Sequence, residues 1–293
     1  MSNKVIIEVR INEYAMRTSN PHVPYSPEEI ANQALECWRE GAAIIHYHAR
    51  DPKTGAPASD VNLYADTVRR IKDKSDLVVM PTLGAWWMPS PEARIAHIVE
   101  MARDPMTKPE FGPIDMATSN VDTYDPETKR FKTNDTVYLN TTKTWQFFAE
   151  TMQSVGVKPV PVFWNIPSIR ATQAFVEMGI FTEPLYCELV LTENWLLAGH
   201  PGTIKGMEAF LDFFPVRANW QWSVLCVGGN LFPVAAAAME RGGHVSVGLG
   251  DYHYPELEFP TNARLVARIA RLARDMGREI ATPEEARQML GVA

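Results

Sequence analysis

Short apolar runs alternate with amphipathic stretches along the whole chain. Eight runs have the length and the β-branched or aromatic content of strands: residues 5–11, 44–48, 77–82, 114–119, 160–166, 185–191, 220–227 and 244–249. The fifth contains Pro161, which cannot donate to a ladder. Helix starts stand between the runs. Ser26-Pro27-Glu28-Glu29 and Thr282-Pro283-Glu284-Glu285 each offer a capping hydroxyl, a proline at the first helical position and a glutamate at the third. Ser90-Pro91-Glu92 is a weaker version of the same device. Leu265, Ile269, Leu272 and Met276 keep helical spacing and predict a helix over 261–277.

Eight strands, each followed by a helix-length segment, predict a parallel sheet. Roughly 250 residues is the expected size of a (β/α)8 TIM barrel. The expected architecture is one barrel domain over 1–293, with a C-terminal helical extension, 261–293, packed on it. An open doubly wound sheet fits the alternation too, but no G-x-G-x-x-G follows the first strand. The polar stretch 121–135 after the fourth strand falls on the barrel face where long loops carry function.

Composition narrows the partners. The formal net charge of −7 argues against nucleic acid or an anionic membrane, while leaving room for a local basic pocket. No apolar run approaches the roughly 20 residues needed to cross a bilayer. The three cysteines, Cys37, Cys187 and Cys226, are far apart, and Lys4 comes too early for a signal peptide. A cytoplasmic protein is the expectation.

The sharpest chemical signal is Ile44-Ile45-His46-Tyr47-His48-Ala49-Arg50-Asp51. Strand side chains alternate, so His46 and His48 share a face at the strand's C-terminal end. There they can grip one divalent ion, and neutral imidazole suits zinc best. A pair of core histidines bonded to the backbone is the bland alternative. Barrel hydrolases of the amidohydrolase type also use H-x-H, but they need histidines on strands 5 and 6, and neither run has one.

Longer stretches carry a more specific likeness: 23–30, 41–52, Trp222-Ser223-Val224, 242–251 and the tail from Thr261 to Arg287. Together they make the chain resemble the β-keto acid cleavage enzymes, the family that includes 3-keto-5-aminohexanoate cleavage enzyme. The resemblance implies a zinc-dependent barrel that joins a β-keto acid to acetyl-CoA and cleaves the adduct to acetoacetate and a new acyl-CoA. It implies that His46 and His48 hold the metal and that Asp251 handles protons. It gives Thr82 and Gly84 a role in binding the substrate carboxylate, and it suggests a homo-oligomer, a dimer or tetramer.

Four positions depart from the family pattern. Gly250 stands where the family has a glutamate ligand, and Ser246 where it has an arginine. Tyr14, expected to meet substrate, aligns with a glutamate at the end of strand 1, and Val160 or Val162 with an inward glutamate. His253, Glu13 and Glu188 compete as the third ligand; His253, nearest in sequence, is the expected one. Arg50 shares the histidine face and is expected to replace the missing anion contact. Trp86, Trp87 and Trp164 suggest a bulkier pocket, and the turn 198–203 is a weak candidate for the CoA phosphates. These departures keep two other functions open: a metal-assisted hydrolase or lyase without CoA, and a non-catalytic barrel that binds a small acid.

Overall fold

The structure, a computed structural model, describes residues 3–83, 87–215 and 218–292. The barrel strands are β1 (Ile7–Arg10), β2 (Ile44–Tyr47), β3 (Val78–Pro81), β4 (Phe111–Asp115), β5 (Lys158–Phe163), β6 (Leu185–Thr192), β7 (Trp220–Val227) and β8 (His244–Val247). They pair in parallel in the order β3-β2-β1-β8-β7-β6-β5-β4. The remaining seam is bridged where Glu110 N donates to Val79 O at 3.2 Å. The result is a nearly closed (β/α)8 barrel.

Capping chemistry starts the helices where the sequence says. Ser26 and Thr282 form full capping boxes with Glu29 and Glu285, and Ser90 caps Ala93 N. Helix α1 (Pro27–Glu40) stops at Gly41, whose φ of 113° is cheap only for glycine. The prolines of β5 are tolerated for a positional reason. Lys158 N donates to Glu110 O on the β4 side, so Pro159 and Pro161 turn their missing donors toward β6. There the ladder begins only at Val162. Strand β4 starts three residues earlier than its apolar run suggests, because Phe111, Gly112 and Pro113 belong to it. Strand β5 ends at Phe163, since Asn165 caps the next helix.

The C-terminal segment divides in two. Helix α2 (Asn262–Asp275) is the barrel's own eighth crossover helix, packed on α1 and β1. The extension is the short strand Glu279–Ile280, paired with Lys4–Val5, and helix α3 (Pro283–Leu290). Ala286 and Leu290 close the bottom of the barrel against Ile6, Ile44, Val78 and Phe111. Burying each such aliphatic side chain is worth about 1.5–3 kcal/mol. Above this apolar plug the interior turns polar: Glu8, Arg10, Glu188, Ser223 and Ser246 are all buried. The polar 121–135 region forms part of two small antiparallel ladders, Ser119–Asn120 with Val137–Tyr138 and Tyr124–Asp125 with Arg130–Phe131, over the barrel mouth. Among the described residues no helix is long and apolar enough to cross a membrane.

Candidate active site

At the C-terminal ends of the strands lies a cavity of about 730 Å³. Its base is built by β1, β2 and the turn after β8. His46 is the penultimate residue of β2, in register with Arg10 of β1, and His48 follows on the same face. Both imidazoles are buried, with ring centroids 5.4 Å apart. Between them comes Glu13. Its Oε1 is 2.9 Å from His46 Nε2, and its Oε2 meets His48 Nε2. One ligand atom from each of the three residues lies within 4.8 Å of the others.

The electrostatics suit a cation. Burial opposes the charge of Glu13, but Arg10 and the two imidazoles outweigh it and hold the carboxyl well below the usual range. Burial dominates at His48 and lowers its pKa, keeping it a neutral donor. Two imidazole nitrogens and a carboxylate oxygen form a borderline-soft donor set, appropriate to zinc. Glu13 Oε1 lies between His46 Nε2 and Arg10 Nη2, at 2.9 and 3.0 Å, while His46 Nδ1 is buried without a hydrogen bond.

Glu13 reaches this position through an uncommon backbone. Its φ is +31°, a left-handed conformation that costs a non-glycine residue on the order of 1–3 kcal/mol. Two buried residues hold the turn. Arg50 donates to the carbonyls of Asn12, Glu13, Ala15 and Gly55 at 2.6–3.1 Å. Asn12 bonds both the N–H and the carbonyl of His48, at 2.9 and 3.0 Å. Gly250 supplies the space: a Cβ there would stand 2.4 Å from Glu13 Cγ.

Beside the trio lies Asp251, buried, with Arg10 Nε at 3.1–3.2 Å from its oxygens. Burial, with Glu13 adding to it, outweighs Arg10 and pushes Asp251 up to about 7. A carboxyl so placed can exchange a proton near neutral pH. Arg10 also faces Glu13 at 3.0 Å, Glu188 at 3.3 Å and Glu8 at 3.5 Å. One guanidinium thus serves four carboxylates. Burial and Glu8 push Glu188 well above the carboxylate range, so it holds a proton. The remaining excess of negative charge is what a bound divalent ion would offset.

Residues 4–292 match the description of the beta-keto acid cleavage enzymes. The chain belongs to this family. It is 30% identical over 294 residues to the 3-dehydrocarnitine:acetyl-CoA trimethylamine transferase of Rhizobium meliloti (strain 1021), covering 93% of this chain and 91% of that one. It is 29% identical to a 3-keto-5-aminohexanoate cleavage enzyme of Fusobacterium nucleatum subsp. nucleatum, over 100% of this chain and 99% of the relative. The apo structure of ObcA superposes with a TM-score of 0.71 at 17% identity, over 93% of this chain and 66% of ObcA. That last likeness concerns the barrel fold.

Within this member of the beta-keto acid cleavage family, several expected residues stand elsewhere. His253 is not in the ligand group. After Asp251 the chain turns out over the mouth, and the His253 ring lies near-parallel to Phe259, with centroids 6.3 Å apart, at the cavity rim. Glu13 stands in its place. Arg50 is not an anion contact, because its donors are spent on backbone carbonyls. Ser246, where the family pattern has an arginine, donates to Glu8 Oε1 at 2.9 Å, and the buried guanidinium stands on the neighbouring strand as Arg10. Thr82 lines the cavity, with His97 Nε2 2.7 Å from its carbonyl oxygen. Tyr14 packs edge-on against His48, centroids 5.1 Å apart. Gly84 and Trp86 lie outside the described residues. In the turn 198–203, Thr203 caps the helix Ile204–Leu211 through Gly206 N. Arg10, Asn12 and Asp115 were absent from the sequence-based candidates; charged Glu8 and Arg10 alternating with Ile7, Val9 and Ile11 were the available signal.

Proposed function

We propose that this protein is a metal-dependent β-keto acid cleavage enzyme. It joins a β-keto acid to acetyl-CoA and cleaves the adduct to acetoacetate and the acyl-CoA of the remaining chain. The convergence of Glu13, His46 and His48 beside Asp251 and Arg10, in a chain of this family, carries the reading. Glu13, His46 and His48 would hold a divalent ion, with zinc the best match to their donor chemistry. When bound, the metal supplies Lewis-acid polarisation of the substrate's oxygens.

The chain's own residues supply the rest. Asp251 takes a proton from the carbon between ketone and carboxylate and returns one when the adduct breaks. Arg10 orients Asp251 and favours negative charge developing next to it. Thr82 offers a hydroxyl to the substrate carboxylate, and Tyr14 covers His48 at the mouth. The acetyl group of acetyl-CoA ends in acetoacetate, and the acyl group of the keto acid leaves on CoA sulfur, so atoms balance without an oxidant or reductant. Bulk around the mouth, from Trp164 and Trp195, fits a substrate with a substantial tail. A homo-oligomer belongs to the same proposal and is read by sedimentation.

Product analysis tests the proposal. Acetoacetate and a matching acyl-CoA should appear only when acetyl-CoA, a β-keto acid and the metal-loaded protein are combined. Turnover without acetyl-CoA would make it a hydrolase or lyase, and ligand stabilisation without turnover would make it a binding protein.

A further inference from the structure

The chemistry above leaves the cavity carboxylate of Asp115 unused. Asp115 ends β4, on the cavity wall, half-buried. In register it neighbours Val162, which neighbours Glu188. Two strand spacings, roughly 10 Å, therefore separate it from the acidic group around Arg10. Its oxygens are fixed from two sides: Trp164 Nε1 donates to Oδ1 and Tyr138 Oη donates to Oδ2, both at 2.6 Å. Trp145 Nε1 bonds its carbonyl at 2.9 Å. These bonds are short and charge-assisted, and they lock the carboxylate while each oxygen keeps lone-pair capacity.

No cationic side chain among the described residues pairs with Asp115. Arg94 stands behind Tyr138, with its Nη atoms bonded to the Tyr138 hydroxyl at 2.7 Å and to Asn140 at 2.8 Å. Arg10, the guanidinium lining the cavity, is engaged by four carboxylates. The walls around Asp115 are aromatic: Trp164 and Tyr138 meet edge-on at 6.5 Å, and Tyr14 and Trp195 line the same cavity. A fixed carboxylate without a cationic partner, among aromatic side chains, is the chemistry that recognises an ammonium group. A neutral tail would leave the carboxylate desolvated and unpaired, and an anionic tail would be repelled.

We infer that Asp115, with Tyr138 and Trp164, is a subsite for a positively charged group, a protonated amine or a quaternary ammonium, on the substrate's tail. This rests on the reading of the cavity as a β-keto acid site and names the class of acid: one whose far end is cationic. Trp164 and Tyr138 are positioning residues for the carboxylate as well as walls for the cation.

A pair of isosteres tests the inference. The metal-loaded protein is titrated calorimetrically, without acetyl-CoA, with a 3-oxo acid ending in trimethylammonium and with its analogue ending in tert-butyl. A third arm, ending in a primary ammonium, separates the two kinds of cation. The cationic acid should bind at least tenfold tighter than the tert-butyl acid, and Asp115→Asn should bring that ratio close to one. Equal affinity, tighter binding of the neutral acid, no binding of either at millimolar concentration, or an unchanged ratio in the variant overturns the subsite. Should Asp115→Asn fail to fold, the wild-type ratio alone decides. Acetyl-CoA is then added and acetoacetate measured. Preferential cation binding without acetoacetate leaves the subsite standing and removes the proposed reaction; acetoacetate from both acids equally does the reverse.

Discussion

At the scale of single residues, Glu13 is the position on which the chemistry turns. It sits in a left-handed backbone between two imidazoles. Strain of this kind persists where the surroundings over-determine it. Glu13→Gln keeps size and polarity but removes the charge. It should lower metal affinity by more than tenfold, read by competition with a chromophoric chelator, while the melting midpoint of the metal-free protein stays the same or rises. Asp251 is a different case, since it touches Arg10 rather than the ligand atoms. Asp251→Asn should retain metal and lower kcat by about 10²–10⁴, the usual range for a lost general base. Loss of metal in that variant would mean that Asp251 is a ligand.

At the scale of elements, the site is a property of the turn after β1 rather than of β8. The family pattern directs attention to positions 246 and 250, which here carry serine and glycine. Strand β1, the neighbour of β8 in the barrel, carries Arg10 and leads into Glu13. The glycine is the other half of the arrangement, because any side chain at 250 would occupy the place of Glu13 Cγ. Gly250→Ala should therefore weaken metal binding without touching a ligand. The holding residues have the same reach. Arg50→Lys cannot keep four carbonyl contacts at once, and Asn12→Ala frees His48; each should lower metal affinity by about 10–100-fold, as losses of supporting contacts typically do. Both effects are read by the same chelator competition. Much of this was legible in the sequence. Apolar runs rich in β-branched and aromatic residues located strands, capping boxes located helices, and H-x-H located the face on which Glu13 meets the two imidazoles. Nearness in sequence points to His253 over Glu13 but says nothing about direction: the turn after Asp251 carries His253 to the rim, whereas closure of the barrel brings β1 against β2 and β8. Arg50 was misjudged because a shared strand face does not reveal whether donors meet substrate or backbone. Strands β4 and β5 start before their apolar runs because Gly112, Pro113 and Pro159 lie within them, where parallel pairing on one side tolerates a missing donor.

At the scale of the whole molecule, buried neutral histidines set the acid limit of stability. Burial lowers His97 to about 4 and His244 to about 3. Both are uncharged in either state above pH 7. Below the unfolded value of about 6.5 the unfolded chain takes up protons that the folded chain refuses, so stability falls with pH down to the folded values. His97→Gln, which can still donate to the Thr82 carbonyl, removes one such proton. The stability gap between wild type and variant should narrow by about 2 kcal/mol between pH 7.5 and 5, measured by urea unfolding. A constant gap would mean that His97 is not buried in its neutral form.

The same scale decides the central claim, that strands β1 and β2 together hold one ion at the barrel mouth. The direct measurement is the metal content and coordination of the purified protein by elemental analysis and X-ray absorption. One divalent ion per chain, bound by two imidazole nitrogens and carboxylate oxygen, and lost in Glu13→Gln, is the expected result. An ion-free protein after zinc loading, or a third imidazole in the shell that disappears on replacing His253, would contradict it.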